Sequence, residues 1–145
     1  MDISATYTFS ASPETVWGFL NDPDIIAACL PGCEGLELIG EDRYRATLTL
    51  AIAAISGRYT GTVAMLDKQP PQSYRLVIEG DGKAGFIKGE AIVQLVPQDG
   101  ATLVTVSGRG QVGGLIARVG QRLLGGVSKT MTDRFFSCLQ QKANG

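Results

Sequence analysis

The sequence predicts an α+β domain in which a curved antiparallel sheet wraps a long C-terminal helix, and three observations carry that prediction. Period-two alternation of apolar and polar residues recurs through most of the chain. Clusters of Gly, Pro, Asp and Gln fall between the alternating runs, at spacings that suit short hairpins. One stretch of helical period closes the sequence, with its apolar residues gathered on one arc.

Taken in order, Ile3, Ala5, Tyr7 and Phe9 alternate and predict a first strand. Ser12-Pro13-Glu14-Thr15 reads as a helix start, with a capping side chain, proline at the first helical position and an acid near the positive end. That helix carries Val16, Trp17, Phe19 and Leu20. A second short helix is expected after Asn21-Asp22-Pro23, running through Ile25, Ile26 and Ala28 until Pro31-Gly32 stops it. From Leu36 to about Gly110 the pattern is a six-stranded meander, with turns at Gly40-Glu41-Asp42, Ser56-Gly57, Pro70-Pro71-Gln72, Asp81-Gly82 and Gln98-Asp99-Gly100.

The alternation also assigns faces. Tyr44, Ala46, Leu48, Leu50, Ile52 and Ala54 point inward, with the polar Arg45, Thr47 and Thr49 between them. So do Tyr59, Gly61, Val63 and Met65, then Tyr74, Leu76, Ile78 and Gly80. Ile87, Gly89, Ala91, Val93 and Leu95 follow, and then Val104, Val106, Gly108 and Gly110. This face is apolar but thin, because glycine and alanine stand where a packed interior normally holds bulk. Either the sheet curls tightly or it encloses a space.

The segment from about Leu115 to Gln141 is expected to be one helix. On a helical wheel Ile116, Val119, Leu123, Leu124, Val127, Met131 and Phe135 share an arc, with Gly120 inside it and Gly125-Gly126 interrupting the middle. Arg118, Arg122 and Lys129 fall within about 40° of one another on the opposite side, and Phe136 falls off the stripe. A strand, two short helices, a meander and a long helix make the layout of the helix-grip fold, in which an internal hydrophobic cavity lies between sheet and helix.

At 145 residues, 44% hydrophobic and 19% charged, residues 1–145 are read as a single domain with a real core. A net charge of −1 argues against nucleic acid. No apolar run approaches the roughly 20 residues that span a bilayer, and Met1-Asp2-Ile3-Ser4 lacks the regions of a signal peptide. A cytoplasmic location is expected. Cys29, Cys33 and Cys138 are accordingly expected as reduced thiols, mostly buried. The chain has no histidine, which removes the commonest general base and most metal sites, so no metal is expected. Glu79 and Glu90 alternate onto the outer face, so no catalytic carboxylate is expected either.

Several motifs together are more specific. They are Pro31-Gly32-Cys33-Glu34, Ile55-Ser56-Gly57-Arg58-Tyr59-Thr60-Gly61, Pro70-Pro71, Gly80-Asp81-Gly82, Lys88-Gly89, Val112-Gly113-Gly114-Leu115 and Phe135-Phe136. In this order, over essentially the whole chain, they resemble the CoxG family of carbon monoxide dehydrogenase subunits, within the START-like (SRPBCC) superfamily. The resemblance implies a non-catalytic accessory of a carbon monoxide dehydrogenase-type molybdenum hydroxylase. It further implies association with the cytoplasmic membrane, peripheral at its inner face, and a lipid or quinone-like molecule in the cavity as ligand, with no other cofactor. Some members continue into a flexible tail that reaches the membrane; with the sequence ending at Gly145, attachment through a tail is not expected.

Three readings of the site follow. In the first, a hydrophobic small molecule is held by strand residues Leu48, Leu50, Tyr59, Gly61, Val63, Leu76, Ile78, Ile87, Ala91 and Val93, with Ile26, Leu30, Val119, Leu123 and Val127 as the lid. Gly61→Leu or Ala91→Phe is then expected to fill the space. In the second, the protein is a membrane or enzyme tether without a ligand. Residues 101–145 carry Arg109, Arg118, Arg122, Lys129, Arg134 and Lys142 against Asp133 alone, while the first hundred residues are net acidic. Arg118, Arg122 and Lys129 would form the membrane or partner surface. The third is a START-like cyclase or hydrolase, using Tyr44, Tyr59 or Tyr74 for proton transfer. It would need an inward carboxylate beside one of them, which the alternation does not supply.

Overall fold

The computed structural model describes residues 2–51 and 55–144. Among these, seven strands and three α-helices follow in the order β1 (Asp2–Phe9), α1 (Pro13–Leu20), α2 (Pro23–Cys29), β2 (Cys33–Gly40), β3 (Arg43–Leu50), β4 (Gly57–Gln69), β5 (Ser73–Gly82), β6 (Gly85–Gln98), β7 (Ala101–Gly113) and α3 (Gln121–Asn144). The strands form one antiparallel sheet in the order β1-β7-β6-β5-β4-β3-β2. Neighbours in sequence pair as hairpins from β2 to β7, and β1 closes the far side against β7. Ile52 and Ala54, both assigned inward by alternation, lie outside the described residues.

The two short helices start where their caps dictate. The Ser12 hydroxyl accepts from the Thr15 amide at 3.2 Å, and an Asp22 carboxylate oxygen accepts from the Asp24 amide at 2.9 Å. Each cap satisfies a backbone donor that the first helical turn leaves free, and proline follows it at a position needing no N–H.

The long helix departs from the sequence expectation. It begins at Gln121, and Gly114–Val119 forms a separate 3-10 turn. The break is set by Gly114 and Gly120, at φ +75° and +98°. A right-handed helix cannot pass through that region, and side-chain-bearing residues rarely enter it. The wheel drawn through Gly120 therefore runs out of phase. Leu123, placed on the apolar arc, is 46% exposed, whereas Phe136, placed off it, is buried with Leu139.

The cysteines also depart from expectation. Cys29 at the end of α2 and Cys138 near the end of α3 are joined as a disulfide, their Cα atoms 5.4 Å apart, while Cys33 is free. They are 109 residues apart in sequence, and only the packing of α2 on α3 makes them neighbours.

A polar latch ties α3 to β1. The Tyr7 hydroxyl donates to one Asp133 oxygen at 2.7 Å, and Lys129 donates to the other at 2.6 Å. The Tyr7 ring stacks on Phe136 at 4.4 Å. Hydrogen bonding from Lys129, then from Tyr7, holds the Asp133 carboxyl below the usual carboxylate range. Burial, with the Asp133 carboxylate beside it, pushes the Tyr7 phenol well up. A depressed carboxyl stabilises the fold above its ordinary pKa, and that contribution is lost as pH falls through the lowered value. Asp133→Asn is expected to lower Tm slightly at neutral pH and to flatten the acid limb of a Tm-against-pH curve. Tyr7→Phe is expected to lower Tm by a few degrees, measured by the same thermal scan.

Candidate ligand-binding site

Cross-strand register fixes what faces the helix. Tyr44, Val63, Ile78 and Gly89 lie in one row across β3 to β6, and Ala46, Gly61, Gly80, Ile87 and Val112 lie in the next. Glu79, Lys88 and Thr62 form a row on the opposite face, as their alternation requires.

The apolar interior divides into two clusters. The first holds Phe9, Val16, Leu20, Ile26, Val93, Val104 and Leu139, with Leu76 and Ala91 packed against it. The second holds Ile55, Tyr59, Ile116 and Leu124, with Leu50, Ile87, Val119 and Val127 against it. Between them, Val63 and Ile78 belong to neither cluster, and Leu30, Leu48 and Gly61 also stand outside both. Ile78 faces the helix by register, yet it is 39% exposed. A large apolar side chain on the concave face of a sheet is normally sealed by its neighbours. Here the middle of that face stays open.

The glycines explain the opening. A Cβ on Gly61 would collide with the backbone of Glu79 and Gly80, and one on Gly108 with Glu90 and Ala91. At these places the absent side chain lets adjacent strands close tightly. Gly80 and Gly89 differ, because an added Cβ would come no nearer than 3.7 Å and 3.5 Å to any neighbour. In α3 a Cβ on Gly125, which is half-buried, would also meet nothing within 4 Å, while Gly126 is exposed. The thin face thus both curls the sheet and leaves room.

The candidate residues are not all brought to that room. Val63, Ile78 and Leu48 line the open middle, whereas Ile26, Leu76, Ala91 and Val93 serve the first cluster. Tyr59, Leu50, Ile87, Val119 and Val127 serve the second. Leu123 turns outward and cannot act as a lid over the sheet in this arrangement. Sequence reasoning leaves Tyr44 and Ala46 out of the site, yet both are buried in the rows that carry Ile78 and Gly80. Their own alternation is the signal that finds them. Of the basic trio, Arg118 lies on the 3-10 turn and Arg122 in the first turn of α3. Lys129 is held by Asp133.

The tyrosines offer little chemistry. The Tyr59 hydroxyl donates to the Ile55 carbonyl at 2.7 Å, and burial pushes its pKa up. Tyr74 is buried edge-on against Trp17, and burial pushes its phenol well up too. The carboxylate found beside a tyrosine is Asp133, against Tyr7, and both its oxygens are occupied.

Two grooves mark the outer face of the sheet. One of about 420 Å³ is lined by Asp2, Ser4, Arg75, Glu90, Ser107 and Arg109 among others, with an Arg75–Glu90 ion pair at 3.5 Å. Another of about 200 Å³ lies among Thr62, Glu79, Asp81, Phe86, Ile87 and Lys88, beside Gly61 and Gly80. Charged side chains stand in both, which sets the outer face apart from the apolar concave one. No helix among the described residues is long and apolar enough to cross a membrane.

Solved structures place the fold. A conserved protein from Geobacillus kaustophilus superposes with TM-score 0.96 at 38% identity, over 99% of this chain and 95% of that one. A START superfamily protein from Mycobacterium smegmatis superposes with TM-score 0.76 at 14% identity, over 99% and 97%. A Chromobacterium violaceum protein gives 0.72 at 16% identity, over 99% and 98%. A comparison with functionally curated proteins finds no match. The sequence profile of the carbon monoxide dehydrogenase protein CoxG matches residues 6–144. With that match over nearly the whole chain and a START-like fold beneath it, the protein belongs to the CoxG family of carbon monoxide dehydrogenase subunits.

Proposed function

We propose that this protein is a non-catalytic accessory of a carbon monoxide dehydrogenase-type molybdenum hydroxylase. It carries a lipid or quinone-like molecule between sheet and helix and links the enzyme to the inner face of the cytoplasmic membrane. The observation that supports the carrier role is Ile78, inward by register and 39% exposed, with Val63 and the side-chain-free Gly80 and Gly89 around it. Such a surface gains most from an apolar guest, because burying exposed hydrocarbon against ligand releases roughly 25 cal/mol per Å². Family membership supports the choice of enzyme partner.

Native mass spectrometry of protein purified from its own source, with solvent extraction alongside, tests the carrier role. A bound species of quinone or lipid mass is expected, and a short-chain soluble quinone should bind the delipidated protein and quench Trp17 or tyrosine emission. Protein that is clean as purified and refuses added quinones and lipids would leave a tether without ligand.

A further inference from the structure

The polypeptide between β7 and α3 has two unlike faces. From Gly114 to Leu123 only Ile116 and Val119 turn inward, and both belong to the second cluster. Everything else in the stretch is exposed, including Leu115 at 57% and Leu123 at 46%. A 3-10 turn repeats every three residues, so Leu115 and Arg118 share the outer side while Ile116 and Val119 share the inner one. Arg122 stands beside Leu123 at the start of α3.

The charges here are one-sided. Residues 110–132 contain no acidic side chain. Among the described residues, neither Arg118 nor Arg122 has a carboxylate partner, although six other ion pairs are formed, Lys129–Asp133 among them. Large apolar side chains held outward beside unpaired arginines match the interface of an anionic bilayer, with hydrocarbon below and phosphate at its rim. A folded acidic partner would also suit the arginines. The protruding leucines, with backbone turned away on both sides at Gly114 and Gly120, favour insertion into a soft apolar layer.

We propose that the Gly114–Val119 turn, together with Arg122 and Leu123, is the surface by which this protein docks on anionic lipid. This rests on the membrane-linking part of the function proposed above and names its contact. Because Ile116 and Val119 on the reverse side pack into the second cluster, docking here sets that end of the concave face against the bilayer.

Flotation with phosphatidylcholine vesicles, with and without phosphatidylglycerol, tests the surface at low salt. Wild-type protein is expected to float with the anionic vesicles. Arg118→Gln/Arg122→Gln should weaken binding about fivefold per arginine, and Leu115→Ser/Leu123→Ser should weaken it at least tenfold. Both variants should keep the wild-type Tm and the affinity for a short-chain soluble quinone, since all four side chains are exposed. Leu38→Ser, removing a leucine 66% exposed on the edge strand β2, is the control and should float like wild type. Tip variants that float like wild type would overturn this surface and leave membrane linking intact, and so would a loss confined to Leu38→Ser. Wild-type protein that floats with neither vesicle would overturn both the surface and the membrane-linking reading, leaving the carrier role to stand on quinone binding alone.

Discussion

Gly80→Leu and Gly89→Leu are expected to abolish uptake of a hydrophobic ligand while leaving the fold in place. Gly89 lies in the row that carries Val63 and Ile78 and Gly80 in the row beside it, and at both a new Cβ would make only ordinary contacts, at 3.5 Å and 3.7 Å. Their side chains would occupy the gap between the two apolar clusters. Isothermal titration with a short-chain quinone should show at least a tenfold loss for either variant and no measurable binding for the pair. Tm should stay near wild type or rise, because a gap is being filled. Sequence alone would choose Gly61→Leu for this experiment, and that choice is poor. Its Cβ would strike the Glu79 carbonyl, so the variant would force β4 from β5 and lose binding through misfolding. Ala91→Phe would overpack the first cluster instead. Unchanged binding by the Gly80/Gly89 pair would remove the gap as the ligand site.

Replacing Cys29 and Cys138 by serine should give the largest loss of stability. The bond closes a loop of 109 residues, and a cross-link of that span restricts the unfolded chain by about 2–5 kcal/mol. For a domain of this size Tm should fall on the order of 10 °C. Wild-type protein in dithiothreitol should fall to the same Tm, and the double variant should ignore the reductant. A wild-type Tm indifferent to dithiothreitol would show that the two residues remain thiols in solution. The loss should reach function as well, since Cys29 follows Ile26 in α2 and both pack in the first cluster beside the gap.

Residues whose partners lie nearby in sequence are legible from it. Ser12-Pro13 and Asp22-Pro23 place the short helices, because a cap needs only the next turn of chain. Alternation from Tyr44 through Val106 assigns each strand its inward face, and the register agrees row by row. The outward placement of Glu79 and Glu90 follows from the same period, and both are exposed. The motif series leads to the family that the profile match shows.

Periodicity misleads where it is carried through a residue that breaks it. Gly120 fits a helical wheel as a letter but stands at φ +98°, and every angle drawn across it is shifted. The shifted wheel puts Leu123 in the lid, although it faces outward, and makes Arg118 a helix-face neighbour of Lys129, although it lies on the 3-10 turn.

Local period and motif order are enough for the α+β class, the strand faces and the family, because none of these needs a distant contact. Packing alone settles which glycines are shut and which are open. Gly61 and Gly80 are the same residue at inward positions, and adjacent strands crowd one while leaving the other room. Packing likewise brings Cys29 to Cys138 and Tyr7 to Asp133, pairs separated by 109 and 126 residues. Contacts of that span arise from how α3 lies across the sheet, a property that no window of sequence contains.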